Sequence, residues 1–124
     1  MKTGQLRNLR TGQIVGERIW KADSFWTRFK GLLGRSSVGL GEGLWLIPCQ
    51  QVHMFGMQFP ISVYFIDKSG CVCGVVEELR PWGISPHVKK SVSVLEFPVG
   101  WGKSADIKMG DKLVWEDSSV IDTN

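Results

Sequence analysis

Apolar and polar residues alternate along much of this chain in short runs cut by glycine and proline. GQIVGERIW (Gly12–Trp20), GLWLIP (Gly43–Pro48), ISVYFID (Ile61–Asp67), CVCGVVEEL (Cys71–Leu79), SVSVLEFPV (Ser91–Val99) and KLVWE (Lys112–Glu116) are rich in β-branched and aromatic residues, and each reads as a strand. CQQVHMFGMQF (Cys49–Phe59) reads as a further strand broken at Gly56. The KSG link between Asp67 and Cys71 joins two apolar runs through a short polar loop, which predicts an antiparallel hairpin. RPWGISP (Arg80–Pro86) predicts a rigid loop, GLGEGL (Gly39–Leu44) a flexible one, and the tail from Asp117 a frayed end. One segment has another period. In ADSFWTRFKGLLGR the apolar positions 25, 26, 29, 32 and 33 recur at helical spacing, with Ser24 placed to cap the first turn and Gly34 to end the last. The prediction is a mainly β fold: a single small antiparallel β-barrel or sandwich with one short α-helix over residues 24–33.

Composition adds scale to this pattern. A chain of 124 residues, 43% hydrophobic and holding six Trp and six Phe, suits a single domain over residues 1–124 with one dry interior and short flexible ends. Its formal charge of +3, from 15 basic and 12 acidic residues scattered along the chain, gives no basic stripe, so nucleic acid is not indicated as a partner. No run approaches the length of a membrane span, and the basic start MKTGQLRNLRTGQ lacks the apolar stretch of a secretory signal. Three cysteines, at 49, 71 and 73, are then expected as reduced thiols in a cytoplasmic protein.

Candidate chemistry concentrates in a few places. Cys49 and His53 form a conceivable thiol–imidazole pair, but extended chain would hold their backbones about 13 Å apart at roughly 3.3 Å per residue, so they meet only across a chain reversal. Strand parity puts His53, Phe55 and Met57 on one face, unless a bulge at Gly56 turns Met57 to the other. The set Cys49, His53, Cys71, Cys73 and His87 lacks the usual metal-ligand spacings, and neither metal nor cofactor is expected. GLGEGL lacks the Lys and Ser/Thr of a phosphate-binding loop. Alternation in SVSVLEF sets Glu96 on the face of Val92 and Val94. If that face is inward, the carboxylate needs a partner, for which Arg28 or Arg35 is the natural candidate. Phe55, Trp82 and Trp101 are candidates to line a shallow aromatic pocket for a sugar or another planar ligand.

Taken in order, RFKGLLGR (Arg28–Arg35), the run Gly43–Asp67 with the following Gly-Cys-Val, LRPW (Leu79–Trp82), VLEFPVG (Val94–Gly100) and Gly110-Asp111 resemble the domain of unknown function family 192 over about residues 17–115. The resemblance implies a small, mostly antiparallel β-barrel or sandwich with one helix, found in bacteria and archaea, and no settled activity. It places Arg28, Gly31 and Leu32 on an Arg-x-x-Gly-Leu element, His53 and Met57 on a His-x-x-x-Met element, and Leu95, Glu96 and Gly100 on Leu-Glu and Gly elements. Two positions depart from that pattern: Leu33 stands where Met is common, and Ser62 where Asp is common. Loss of the carboxylate at position 62 argues for binding over catalysis.

The expected function is a non-enzymatic accessory or small-ligand-binding domain in which Arg28, His53 and Glu96 cluster at a barrel mouth, with Arg35, Met57, Trp82 and Trp101 completing the contact set. Its partner would be a small polar ligand or a protein. Two other readings stay open: a hydrolase or thiol-dependent enzyme using Cys49 or Glu96 with His53, and a scaffold that docks through Trp82 and Trp101.

Overall fold

The computed structural model describes residues 2–22 and 39–117. The helix expected over residues 24–33, Arg28, Arg35 and the chain beyond Asp117 lie outside the described residues. Seven strands, β1 (Lys2–Asn8), β2 (Ile14–Ala22), β3 (Glu42–Leu46), β4 (Ile61–Asp67), β5 (Val72–Leu79), β6 (Ser91–Pro98) and β7 (Leu113–Asp117), form one mixed sheet in the order β5-β4-β6-β3-β2-β1-β7. All neighbours are antiparallel except β2 and β3, which run parallel from Arg18↔Glu42 to Ala22↔Leu46. A parallel pair needs a long crossover, and the chain from residue 23 to 41 supplies that length. The ladder does not close on itself. Its ends are nevertheless tied, because Cys71 bridges Lys112 and three backbone bonds cross beside it: Val72 N–H to the Asp111 carbonyl (2.9 Å), Gly110 N–H to that of Val72 (2.8 Å) and Leu113 N–H to that of Gly70 (2.9 Å).

The predicted hairpin is present, with β4 and β5 paired antiparallel from Ile61↔Leu79 to Ile66↔Val72. The single interior expected from the pattern is two. Alternate residues of β4 serve opposite faces of the sheet: Ile61, Val63 and Phe65 join Leu44, Leu46 and Val94 in one apolar cluster, while Tyr64 and Ile66 join Leu6, Val15, Ile19, Leu95 and Phe97 in the other. This explains why ISVYFID is apolar at nearly every position, since a central strand covered on both sides has no polar face to show. The first cluster is roofed by Val52 and Met54, so Cys49–Phe59 is lining, but it is a loop and not the strand expected. Its backbone groups pair with another loop: Met54 N–H with the Gly83 carbonyl (2.8 Å), Trp82 N–H with that of Met54 (2.8 Å) and Ser85 N–H with that of Val52 (2.8 Å).

Two elements were not expected. Strand β1 carries only Leu6 as a bulky apolar residue, yet Gly4, Leu6 and Asn8 alternate inward between β2 and β7. A four-residue helix α1 (Trp101–Ser104) follows Gly100, whose φ of 83° turns the chain out of β6. It lies close over the second cluster because Gly102 has no side chain, and a Cβ there would overlap the Tyr64 ring.

Candidate functional site

Glu96 stands in the middle of β6, in register with Leu44 of β3 and Val63 of β4, on the face roofed by the Cys49–Phe59 loop. The valine side chosen for it is therefore an inner one at Val94, although Val92 at the strand's start is exposed. Its side chain is 6% exposed, and burial alone pushes its carboxyl up to about 7. Among the described residues it makes no side-chain hydrogen bond or ion pair. Arg28 and Arg35, the partners expected for it, are outside those residues.

His53 is elsewhere. The loop around it keeps a period of two, with Val52 and Met54 buried and Gln51, His53 and Phe55 exposed. Gly56, at φ 79°, ends that alternation and turns Met57 back to pack against the first cluster, as the bulge alternative anticipated. The imidazole stacks on Phe55 with centroids 5.0 Å apart and planes 29° from parallel, and Phe55 meets Trp82 at 6.0 Å and 39°. Phe55 is 51% exposed and Trp82 67% exposed, so the three rings form an uncovered row. Ile84, which bridges His53 through the backbone, extends the apolar surface; sequence reasoning missed it because a lone Ile after a Gly reads as a loop residue.

Trp101 does not join this row. It packs against the second cluster, on the other side of the sheet, and its indole N–H donates to the Val15 carbonyl at 2.7 Å. Cys49 Sγ donates to the Gln51 carbonyl at 3.2 Å. Cys73 packs beside the first cluster, where burial pushes its thiol up. Among the described residues no group of three His, Cys, Asp or Glu side chains is arranged to hold a metal ion. Ser62 is fully buried; its hydroxyl donates to the Glu77 carbonyl (2.6 Å) and accepts from Gly100 N–H (3.1 Å).

A second polar centre escaped the sequence. Asp111 receives Asn8 Nδ2 (2.8 Å), Arg10 Nε (2.7 Å) and the backbone N–H of Lys108 (2.8 Å), and Arg10 foremost among them holds its carboxyl down at about 2. Nothing local in Gly110-Asp111 announces partners that lie at the other end of the chain. A cationic contact was also unforeseen: Lys21 Nζ sits 5.1 Å from the Trp45 ring centroid and 4.7 Å from that of Trp115.

Fold and surface together define a small, mainly β domain built on one curved mixed sheet, with an aromatic row on the loops outside it. The chain belongs to the DUF192 family, described as Uncharacterized ACR, whose model matches residues 7–115. It is similar to a UPF0127 protein of Thermococcus sibiricus, 29% identical over 116 residues that cover 90% of this chain and 74% of that one. A UPF0127 protein of Pyrococcus abyssi is 39% identical over 64 residues, 52% of this chain and 54% of its own length. Of solved structures, a protein of unknown function from Novosphingobium aromaticivorans superposes with a TM-score of 0.77 at 22% identity, over 91% of this chain and 84% of that one. A candidate transcription regulator from Sinorhizobium meliloti gives a TM-score of 0.80 at 20% identity, over 91% and 93%. The sequence relatives named are archaeal, and the likeness to the two bacterial structures carries the fold. No helix among the described residues is long and apolar enough to cross a membrane.

Proposed function

We propose that this domain is a non-enzymatic recognition module whose contact surface is the row His53, Phe55 and Trp82. The observation that carries the reading is the backbone of Trp82. Arg80-Pro81-Trp82-Gly83 closes a turn through Gly83 N–H to the Arg80 carbonyl (2.9 Å), with φ of 68° at Trp82. Proline in the second position and positive φ in the third make this a type II turn, whose third position favours glycine. A bulky residue there costs about 1–2 kcal/mol. Trp82 bears that strain while leaving 67% of its surface exposed, so its gain is assigned to contact with another molecule.

The row is also rigidly held. Trp82 and Gly83 are hydrogen-bonded to Met54, and Val52 N–H donates to the Ser85 hydroxyl at 2.8 Å, so little freedom is left to lose on binding. A buried hydroxyl at Ser62, engaged on both sides, supplies no acid or base, in keeping with a binding role. The expected cluster of Arg28, His53 and Glu96 is not part of this reading, because His53 is turned to the row and Glu96 to the core.

A thermal-shift screen of sugars, nucleotides and peptides against wild type, Trp82→Gly and Phe55→Ala tests it. A binder should raise the melting temperature of wild type and of neither variant. Trp82→Gly alone should be more stable than wild type by about 1 kcal/mol in urea unfolding, because the turn is relieved. Shifts that persist in both variants, or a wild type unmoved by every probe, would remove the reading.

A further inference from the structure

We propose that the ligand of this row is a neutral, polyhydroxylated molecule of the carbohydrate class; the proposal rests on the recognition reading above. The two loop strips that build the surface, residues 50–60 and 80–88, contain one formally charged residue, Arg80, and its guanidinium is already engaged by Glu78 at 3.1 Å. A phosphate, a carboxylate or a nucleic-acid backbone would find Arg80 as the sole cation of Lys or Arg type in the two strips, whereas such ligands are held chiefly by several of those side chains. Neutral amides stand in the same strips. Gln50 and Gln51 spend their amide nitrogens on the carbonyls of Lys89 (2.8 Å) and Ser85 (3.0 Å), and their carbonyl oxygens accept nothing from a described residue.

That combination has a matching chemistry. Each ring face carries negative quadrupole density and attracts weakly positive C–H groups, which a pyranose presents on its apolar face. The hydroxyls around the same sugar donate to the neutral amide oxygens in these strips, and the pinned loops leave only the sugar to be ordered.

The experiment titrates the full chain with cellohexaose and chitohexaose, against oligogalacturonate and an oligothymidylate as anionic probes. The readout is the Trp82 indole N–H cross-peak in proton–nitrogen correlation spectra, assigned by its loss in Trp82→Gly. At least one neutral hexamer should move that peak, with an affinity unchanged between low and high salt and weakened at least about tenfold by Phe55→Ala. If only the anionic probes move it, with affinity that falls as salt rises, the carbohydrate assignment is overturned while the row remains a contact surface. If no probe moves it and the thermal-shift screen is also silent, both proposals fail. A neutral hexamer that binds without moving the Trp82 peak overturns the site.

Discussion

Glu96 shows how one residue sets a pH dependence for the whole fold. Its carboxyl is flanked in register by Leu44 and Val63 and is pushed up to about 7, so between the ordinary carboxylate range and about 7 the folded state holds a proton that the unfolded state has released. The Glu96 contribution to folding stability is therefore full at acid pH and falls as pH rises through that window, by about 3 kcal/mol at most for a shift of this size. Glu96→Gln keeps the shape and removes the charge. Urea unfolding should find the variant about 2–3 kcal/mol more stable than wild type at pH 8 and within about 0.5 kcal/mol of it at pH 4. A variant that is less stable than wild type at pH 8 would mean that the carboxylate is paired in the folded protein.

At the scale of elements, α1 illustrates how packing decides what propensity leaves open. Trp101–Ser104 is too short to be stable as an isolated helix and holds its place by lying on Tyr64, which requires the missing side chain of Gly102. Gly102→Ala should therefore destabilise by about 1–3 kcal/mol in urea unfolding despite alanine's better helix propensity, and Tyr64→Phe in the same chain should recover part of the loss. An undiminished stability in Gly102→Ala would show that α1 moves freely off the sheet. Elements with a dense local signal were legible in the sequence: β4 and β5 with their Asp67–Cys71 turn, β6, and β7 all carry β-branched or aromatic runs that alternate or are apolar throughout. Strand β1 was not legible, because KTGQLRN owes its extended form to pairing with β2 and β7 rather than to its own residues. The Cys49–Phe59 loop misled for the opposite reason. It alternates as a strand does, yet its partner is the Arg80–Val88 loop, so period two reported extended chain and not a ladder. Of the site, the aromatic character of Phe55 and Trp82 was readable, but the strain at Trp82 was not, since Arg-Pro-Trp-Gly also permits a turn with Gly83 in the strained position.

For the whole molecule, the question is what keeps an unclosed seven-stranded sheet from opening at β5 and β7. The backbone tie at Val72, Gly110 and Leu113 joins these ends, and the Asp111 carboxylate sits beside it, gathering Asn8 of β1, Arg10 of the β1–β2 turn and the Lys108 N–H ahead of β7. Two remote parts of the chain, residues 8–10 and 108–111, thus converge on one buried acid. Because its carboxyl is held down at about 2, its contribution is present above the ordinary aspartate range and is lost as pH falls through about 2. Arg10 is partly exposed, which tempers the pair's worth, so Asp111→Asn should cost about 2 kcal/mol at pH 7 and much less at pH 2. Hydrogen exchange locates the effect: the amides of Val72, Gly110 and Leu113 should lose protection in the variant before those of β4 and β6, because the sheet's ends open while its two-sided centre stays paired. Uniform loss of protection across β4, β6 and the tie would instead make Asp111 a determinant of global unfolding, with the sheet opening as a single unit.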